Sequence, residues 1–181
     1  MSIRAATMAD LPRMLEIYRP FVEATTVSFE YTVPTLDVFT RRFLDHVAQF
    51  PWLVWEEEGQ VLGYAYAGRV WERAAYSWCA ESSIYLAPQA RGRGVGRALY
   101  TRLEELLQRQ GYRVLYAVIT EENQNSIAFH RALGYTHRAF FPGCGHKHGR
   151  WLGVVWLEKQ LLPWGNRKCF PQPWLNQEEQ Q

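Results

Sequence analysis

Apolar residues recur with helical spacing in the first fifty positions. Leu11, Met14, Leu15 and Tyr18 form one buried stripe, so a helix is predicted that Thr7 and Asp10 open as a capping box and Pro20 ends. Residues 20–34 carry no period and read as irregular. Thr35 then caps a second helix, with Leu36, Phe39, Phe43 and Val47 on one face and Pro51 closing it. Before the first helix, residues 2–6 alternate well enough for a short strand.

After Pro51 the period becomes two. Residues 52–55 and 61–67 read as strands joined by a hairpin turn at Gly59, and a third strand spans residues 78–86, ending at Pro88. Val95, Leu99, Leu103 and Leu106 mark a long helix that Gly111 stops. Residues 114–119 are an almost unbroken apolar run, expected of a central strand covered on both faces. A short helix with Ile127, Phe129, Ala132 and Leu133 stops at Gly134, and strands follow at 135–141 and 151–158. The order β-α-α-β-β-β-α-β-α-β-β predicts an α/β protein of the α+β type, a mixed sheet with helices on both faces. A domain over residues 1–162 is expected, with a Pro- and Gln-rich tail over 163–181 in which Trp164, Phe170 and Trp174 are able to dock.

Composition narrows the class. With 181 residues the chain is long enough to bury roughly 70% of its unfolded surface, so no disulfide or structural metal is required. A net charge of +2 excludes nucleic-acid binding driven by bulk charge. Cys79, Cys144 and Cys169 form no C-x-x-C pair, and no run approaches eighteen apolar residues, so a soluble, cytoplasmic protein without membrane contact is expected. Histidines 146 and 148 lack a third ligand nearby, so no metal site is expected.

The chemistry concentrates between the third strand and the long helix. Arg91-Gly92-Arg93-Gly94-Val95-Gly96-Arg97 lies where free N–H groups and the positive end of a helix dipole face outward, a place for a phosphate. The glycines let an anion approach the backbone, and Arg91, Arg93 and Arg97 add charge. The spacing is neither Gly-x-Gly-x-x-Gly nor a P-loop, which disfavours a dinucleotide or nucleoside triphosphate.

Arg91-x-x-Gly94-x-Gly96 in this setting resembles the acetyl-CoA signature of the GNAT N-acetyltransferase superfamily. Asn123 through Ser126, Phe129 and His130 to Leu133-Gly134-Tyr135 resembles its other characteristic helix. Further segments, residues 26–29, 64–68, 76–85 and 147–151, are similar to the phosphinothricin and methionine sulfoximine N-acetyltransferase group. The departures fall at residues 69–72, 89–91 and in the tail. The resemblance implies a GNAT-like, mostly antiparallel twisted sheet and acetyl-CoA as co-substrate. It also implies direct transfer to the α-amino group of a small amino acid such as phosphinothricin, methionine sulfoximine or methionine sulfone. The alternatives are a polyamine or peptide N-terminus as acceptor, or a non-catalytic acyl-CoA-binding module.

An amine must lose a proton to attack a thioester, so a base is needed. The resemblance assigns that role to Glu81, which strand alternation places on one face with Ser83 and Tyr85. It makes His130 a partner in proton transfer and sets Asn123, with Ser126 in the same motif, beside the pantetheine arm. Backbone N–H groups of Ile84, Tyr85 and Leu86 are expected to face the carbonyl oxygen. Tyr100 is a weaker candidate near the sulfur. For an amino-acid substrate, Arg73 is the expected carboxylate clamp, with Phe29, Tyr76 and either Lys147 or His148 completing the pocket. A homodimer is expected.

Overall fold

A computed structural model describes residues 1–165 and 169–174. The predicted Asn176–Gln181 ending lies outside them. Strands β1 (Ser2–Ala5), β2 (Trp52–Glu57), β3 (Gln60–Arg69), β4 (Cys79–Leu86), β5 (Val114–Thr120), β6 (Thr136–Lys147) and β7 (Arg150–Gln160) alternate with helices α1 (Leu11–Glu23), α2 (Leu36–Val47), α3 (Val95–Gln110) and α4 (Gln124–Ala132). The strands form one sheet in the order β1-β2-β3-β4-β5-β7-β6. Every neighbouring pair is antiparallel except β4 and β5.

The expected order of elements and the mixed, mostly antiparallel sheet are both present. Two hairpins turn on two-residue loops with both residues at positive φ, Glu58–Gly59 and His148–Gly149. That mirror-image turn matches the twist of the strands it joins. One boundary corrects the reading of the first helix: α1 runs through Pro20 to Glu23. Proline removes a single bond there, and the following turn is held by the Ala24 N–H donating to the Pro20 carbonyl at 3.0 Å and by Val22, which is buried.

Two cores sandwich the sheet. On one face α3 packs through Leu99, Leu103 and Leu107 onto Ala65, Ala80, Leu115 and Leu157. On the other, α1 and α2 cover the β1–β4 half with Met14, Tyr18, Phe39 and Phe43 against Trp52, Val54 and Tyr64. Each such side chain contributes about 1.5–3 kcal/mol by leaving water. The described part of the tail returns to the domain: Trp174 is buried in the first core, Phe170 stacks on Trp78, and Gln172 exchanges backbone and side-chain bonds with Gln110.

Candidate active site

β4 is paired along its length with β3, from Ala80 opposite Arg69 to Leu86 opposite Gly63. Its pairing with β5 covers only Cys79–Glu81 against Val114–Tyr116. Beyond Glu81 the two strands part, and residues 82–86 have no ladder partner on the β5 side. A buried backbone edge without partners is costly unless something else bonds to it. The opening is a cleft lined by Val27, residues 82–85 of β4, Tyr100, residues 117–120 of β5, Asn123, Ser126 and His130.

Alternation divides β4 between the two sides of the sheet. Ser82 and Ile84 point toward α3 and α4, whereas Glu81, Ser83 and Tyr85 share the face of α1 and α2. The Tyr85 ring packs edge-on against Tyr18 and Phe21, and its N–H and C=O turn toward Tyr64 of β3, in step with the Ala87 N–H that donates to the Leu62 carbonyl, so the main-chain groups that face the cleft belong to Ser82, Ile84 and Leu86. Glu81 is partly buried beside the point of separation, and no described side chain bonds to it. Burial pushes its carboxyl up to about 7.

Across the opening lies a chain of polar groups. Ser82 Oγ donates to the Tyr116 carbonyl at 3.1 Å, Tyr100 Oη stands 3.2 Å from Ser82 Oγ, and His130 Nε2 stands 2.9 Å from Tyr100 Oη. His130 Nδ1 is 2.8 Å from the Ser126 carbonyl, an acceptor, so that nitrogen carries a hydrogen. Its Nε2 then presents a lone pair to the Tyr100 hydroxyl. Burial lowers the His130 pKa and raises that of Tyr100, which keeps both neutral.

The phosphate loop has the expected form with a different division of labour. Gly92 and Gly94 adopt φ of +71° and +81°, and a Cβ at either would meet open space, so both leave the backbone accessible. Gly94 caps α3, whose first N–H groups face the loop. Gly96 serves packing instead: a Cβ there would sit 3.3 Å from the Phe129 ring of α4. Arg93 is held by Glu57 at 2.8 Å, and Arg91 folds back on the Leu86 carbonyl and over Phe21, whereas Arg97 is exposed. Asn123 caps α4 by accepting from the Ser126 N–H at 3.2 Å and also lines the cleft.

The remaining predicted residues lie apart from the Ser82–Tyr100–His130 chain. Arg73 is exposed at the start of the turn that carries Tyr76 in the β3–β4 loop. Phe29 packs on Gly145 of β6. Lys147, read as a pocket residue, is instead buried at 2% exposure, its ammonium donating to the Val22 and Ser28 carbonyls. His148 lies in the exposed turn. The sequence signal for Tyr100 was helical spacing, which packing explains equally well. Among the described residues, no three His, Cys, Asp or Glu side chains group to hold a metal ion, and no helix is long and apolar enough to cross a membrane.

Residues 3–156 match the family model of the acetyltransferase (GNAT) domain. The chain belongs to the GNAT acetyltransferase family. It is 38% identical to the phosphinothricin N-acetyltransferase of Streptomyces viridochromogenes over 170 residues, 93% of each chain. It is 36% identical to the L-methionine sulfoximine/L-methionine sulfone acetyltransferase of Salmonella typhimurium, over 89% of this chain and 95% of the relative. The crystal structure of a GNAT phosphinothricin acetyltransferase from Sinorhizobium meliloti in complex with acetyl-CoA superposes with a TM-score of 0.84 at 38% identity, covering 88% of this chain and 87% of that one. The protein is thus a GNAT N-acetyltransferase of the phosphinothricin and methionine sulfoximine group.

Proposed function

We propose that the protein transfers the acetyl group of acetyl-CoA to the α-amino group of a small amino acid, with phosphinothricin, methionine sulfoximine and methionine sulfone as candidate acceptors. The observation that carries this reading is the position of Glu81, a carboxyl with its pKa pushed up to about 7, beside the point where β4 leaves β5. A base with that pKa is poised to accept a proton near neutral pH.

The cleft suits acetyl-CoA. Gly92 and Gly94 leave room for a pyrophosphate against the N-terminus of α3, Arg97 adds charge, and the free edge of residues 82–86 offers N–H and C=O groups to the pantetheine amides. Acetyl-CoA supplies the acetyl group as an activated thioester. Glu81 removes the amine proton, directly or through water. Tyr100, hydrogen-bonded between Ser82 and His130, holds a proton on the cleft wall, where the leaving sulfur requires one. The outward β4 amides of Ile84 and Leu86, which alternation turns away from β3, face the carbonyl oxygen, and Asn123 and Ser126 border the arm. Arg73, which has no acidic partner among the described residues, clamps the acceptor carboxylate, and Tyr76 and Phe29 complete the acceptor side.

We also assign a cytoplasmic homodimer. Its support is the exposed aromatic surface of the edge hairpin, with Phe140, Phe141 and Trp151 at 45%, 49% and 72% exposure. Sedimentation as a monomer at assay concentrations overturns that assignment.

Thiol release from acetyl-CoA tests the reaction, with phosphinothricin, methionine sulfoximine, methionine sulfone, polyamines and a peptide N-terminus as acceptors and Glu81→Gln alongside. Saturable turnover with an amino acid, lost in the variant, supports the reading. Turnover confined to polyamines or peptides, or binding of CoA with no turnover, overturns it.

A further inference from the structure

The face of the sheet that carries Glu81 is covered unevenly. Helices α1 and α2 seal its β1–β4 half, but over β5 and β7 the described residues place no helix. That open half begins beside Glu81, whose register partner on β5 is Tyr116. Paired residues on neighbouring strands share a face and lie about 5 Å apart. Tyr116 and Trp156, a diagonal neighbour on β7, are only partly buried, with ring centroids 5.7 Å apart. Trp71 reaches over from the β3–β4 loop, stacking on Trp156 at 6.0 Å and 15° and meeting Tyr116 at 5.6 Å and Tyr76 at 4.9 Å. Trp71 and Tyr76 remain 40% and 44% exposed. The result is an aromatic wall, open to solvent, within one side chain's reach of the proposed base.

Its charges discriminate. Glu158, the register partner of Tyr116 on β7, borders the wall and is paired with Arg138 at 2.8 Å. In the loop, Arg69 is engaged with Glu72 at 3.5 Å, which leaves Arg73 as the guanidinium without an acidic partner among the loop's described residues. One cation suits one carboxylate, that of the amino acid itself. An anionic side chain laid on this wall would meet Glu158 and find the neighbouring Arg138 already engaged by it, whereas a neutral flat or thioether side chain would gain stacking and burial.

Resting on the acetyltransferase reading above, we infer that Trp71, Tyr76, Tyr116 and Trp156 receive the acceptor's side chain and select amino acids with aromatic or other large neutral side chains over those with anionic ones. The group's name-giving acceptor, phosphinothricin, carries an anionic phosphinate and is on this inference a poor substrate.

The test uses the purified full chain at saturating acetyl-CoA. Acceptors are L-tryptophan, L-phenylalanine, L-methionine, methionine sulfone and phosphinothricin, compared for wild type, Trp71→Ala and Trp71→Phe. Calorimetric binding of L-phenylalanine and sedimentation run in parallel. The expected result is a kcat/KM at least tenfold higher for the aromatic acceptors than for phosphinothricin. Trp71→Ala should lower the aromatic values at least tenfold, mainly through KM, lower that of phosphinothricin by a clearly smaller factor, and be largely rescued by Trp71→Phe. Preference for phosphinothricin overturns the inference but leaves the acetyltransferase reading standing. So does an equal loss for all acceptors, including one accompanied by a shift to monomer, which would make the wall an interface between copies. If no amine turns over, that reading fails, and phenylalanine binding decides the wall separately. Binding abolished by Trp71→Ala upholds it, and absence of binding to wild type overturns it.

Discussion

Tyr100 Oη lies 2.9 Å from His130 Nε2, joining α3 to α4 across a buried gap. Because Nδ1 is committed to the Ser126 carbonyl, Nε2 must accept, and the tyrosine proton is shared between it and Ser82 Oγ. Tyr100→Phe removes that shared proton and leaves Nε2 unpaired. The expected outcome is a kcat lowered roughly 100–10,000-fold, the range of a lost general acid, with KM for acetyl-CoA within about threefold. Unfolding stability should fall by about 1–3 kcal/mol, the penalty of one unsatisfied buried acceptor. Steady-state kinetics and denaturant melts check both. A uniform stability loss with kcat unchanged would reduce Tyr100 to packing.

Glu81 connects activity and stability through one proton. Its carboxyl is pushed from 4.5 up to about 7 by burial, so the folded state binds the proton more tightly than the unfolded chain. That contribution is fully present below pH 4.5 and is lost as pH rises to about 7, while the ionised base accumulates over the upper part of the same window. kcat/KM should therefore climb through a pKa near 7 as stability declines. Glu81→Gln should abolish the climb and make the protein more stable than wild type at pH 8, by up to about 3 kcal/mol, the most that a carboxyl moved from 4.5 to about 7 contributes. Melts at pH 5 and pH 8 on both proteins decide it.

The sequence carried the elements better than it carried their partings. Apolar runs at residues 78–86 and 114–119 each announce a strand, but nothing in either says that they pair over only three residues. That length is set by where Ser82 bonds the Tyr116 carbonyl and where Tyr100 enters from α3, contacts between residues 18 and 34 positions apart. The phosphate loop was legible because its geometry is local: glycines at positive φ before a helix start. Lys147 was not: residue 147 lies outside the predicted strands at 135–141 and 151–158, so nothing local announces the hairpin that folds it against the end of α1 and away from the pocket role expected of it. Pro20 misled for the converse reason, a strong local signal overruled by the burial of Val22 two residues later.

Gly145 sets the position of Phe29. A Cβ at 145 would lie within 2.0 Å of the Phe29 ring, too close for any rotamer adjustment of the backbone side alone. Because Phe29 is 36% exposed, the ring is free to swing outward, so Gly145→Ala should fold. Its stability loss should be about 1–3 kcal/mol, the usual size for overpacking. The displaced ring belongs to the proposed acceptor pocket, so the amine KM should rise several-fold while KM for acetyl-CoA stays put. Equal changes in both constants would place Phe29 outside the acceptor side.

Lys147 fixes the segment that closes the cleft. Its ammonium donates at 2.7 Å to the Val22 carbonyl, at the end of α1, and at 2.5 Å to the Ser28 carbonyl, two residues from which Thr26 reaches Glu122. Between them lies Val27, which lines the cleft. Lys147→Met keeps the apolar stem and removes the donor, leaving two carbonyls to find water. Opening the segment satisfies them, so the loss should appear as local mobility around residues 22–30 as well as about 2–4 kcal/mol of global stability. Hydrogen exchange should show protection lost there while β3 and β4 keep theirs, and the amine KM should rise with kcat at saturation nearly unchanged. Lys147→Arg, which retains donors, should recover part of the protection. If exchange instead quickens evenly across the sheet, Lys147 supports the whole core and the segment has no separate stability for substrate to exploit.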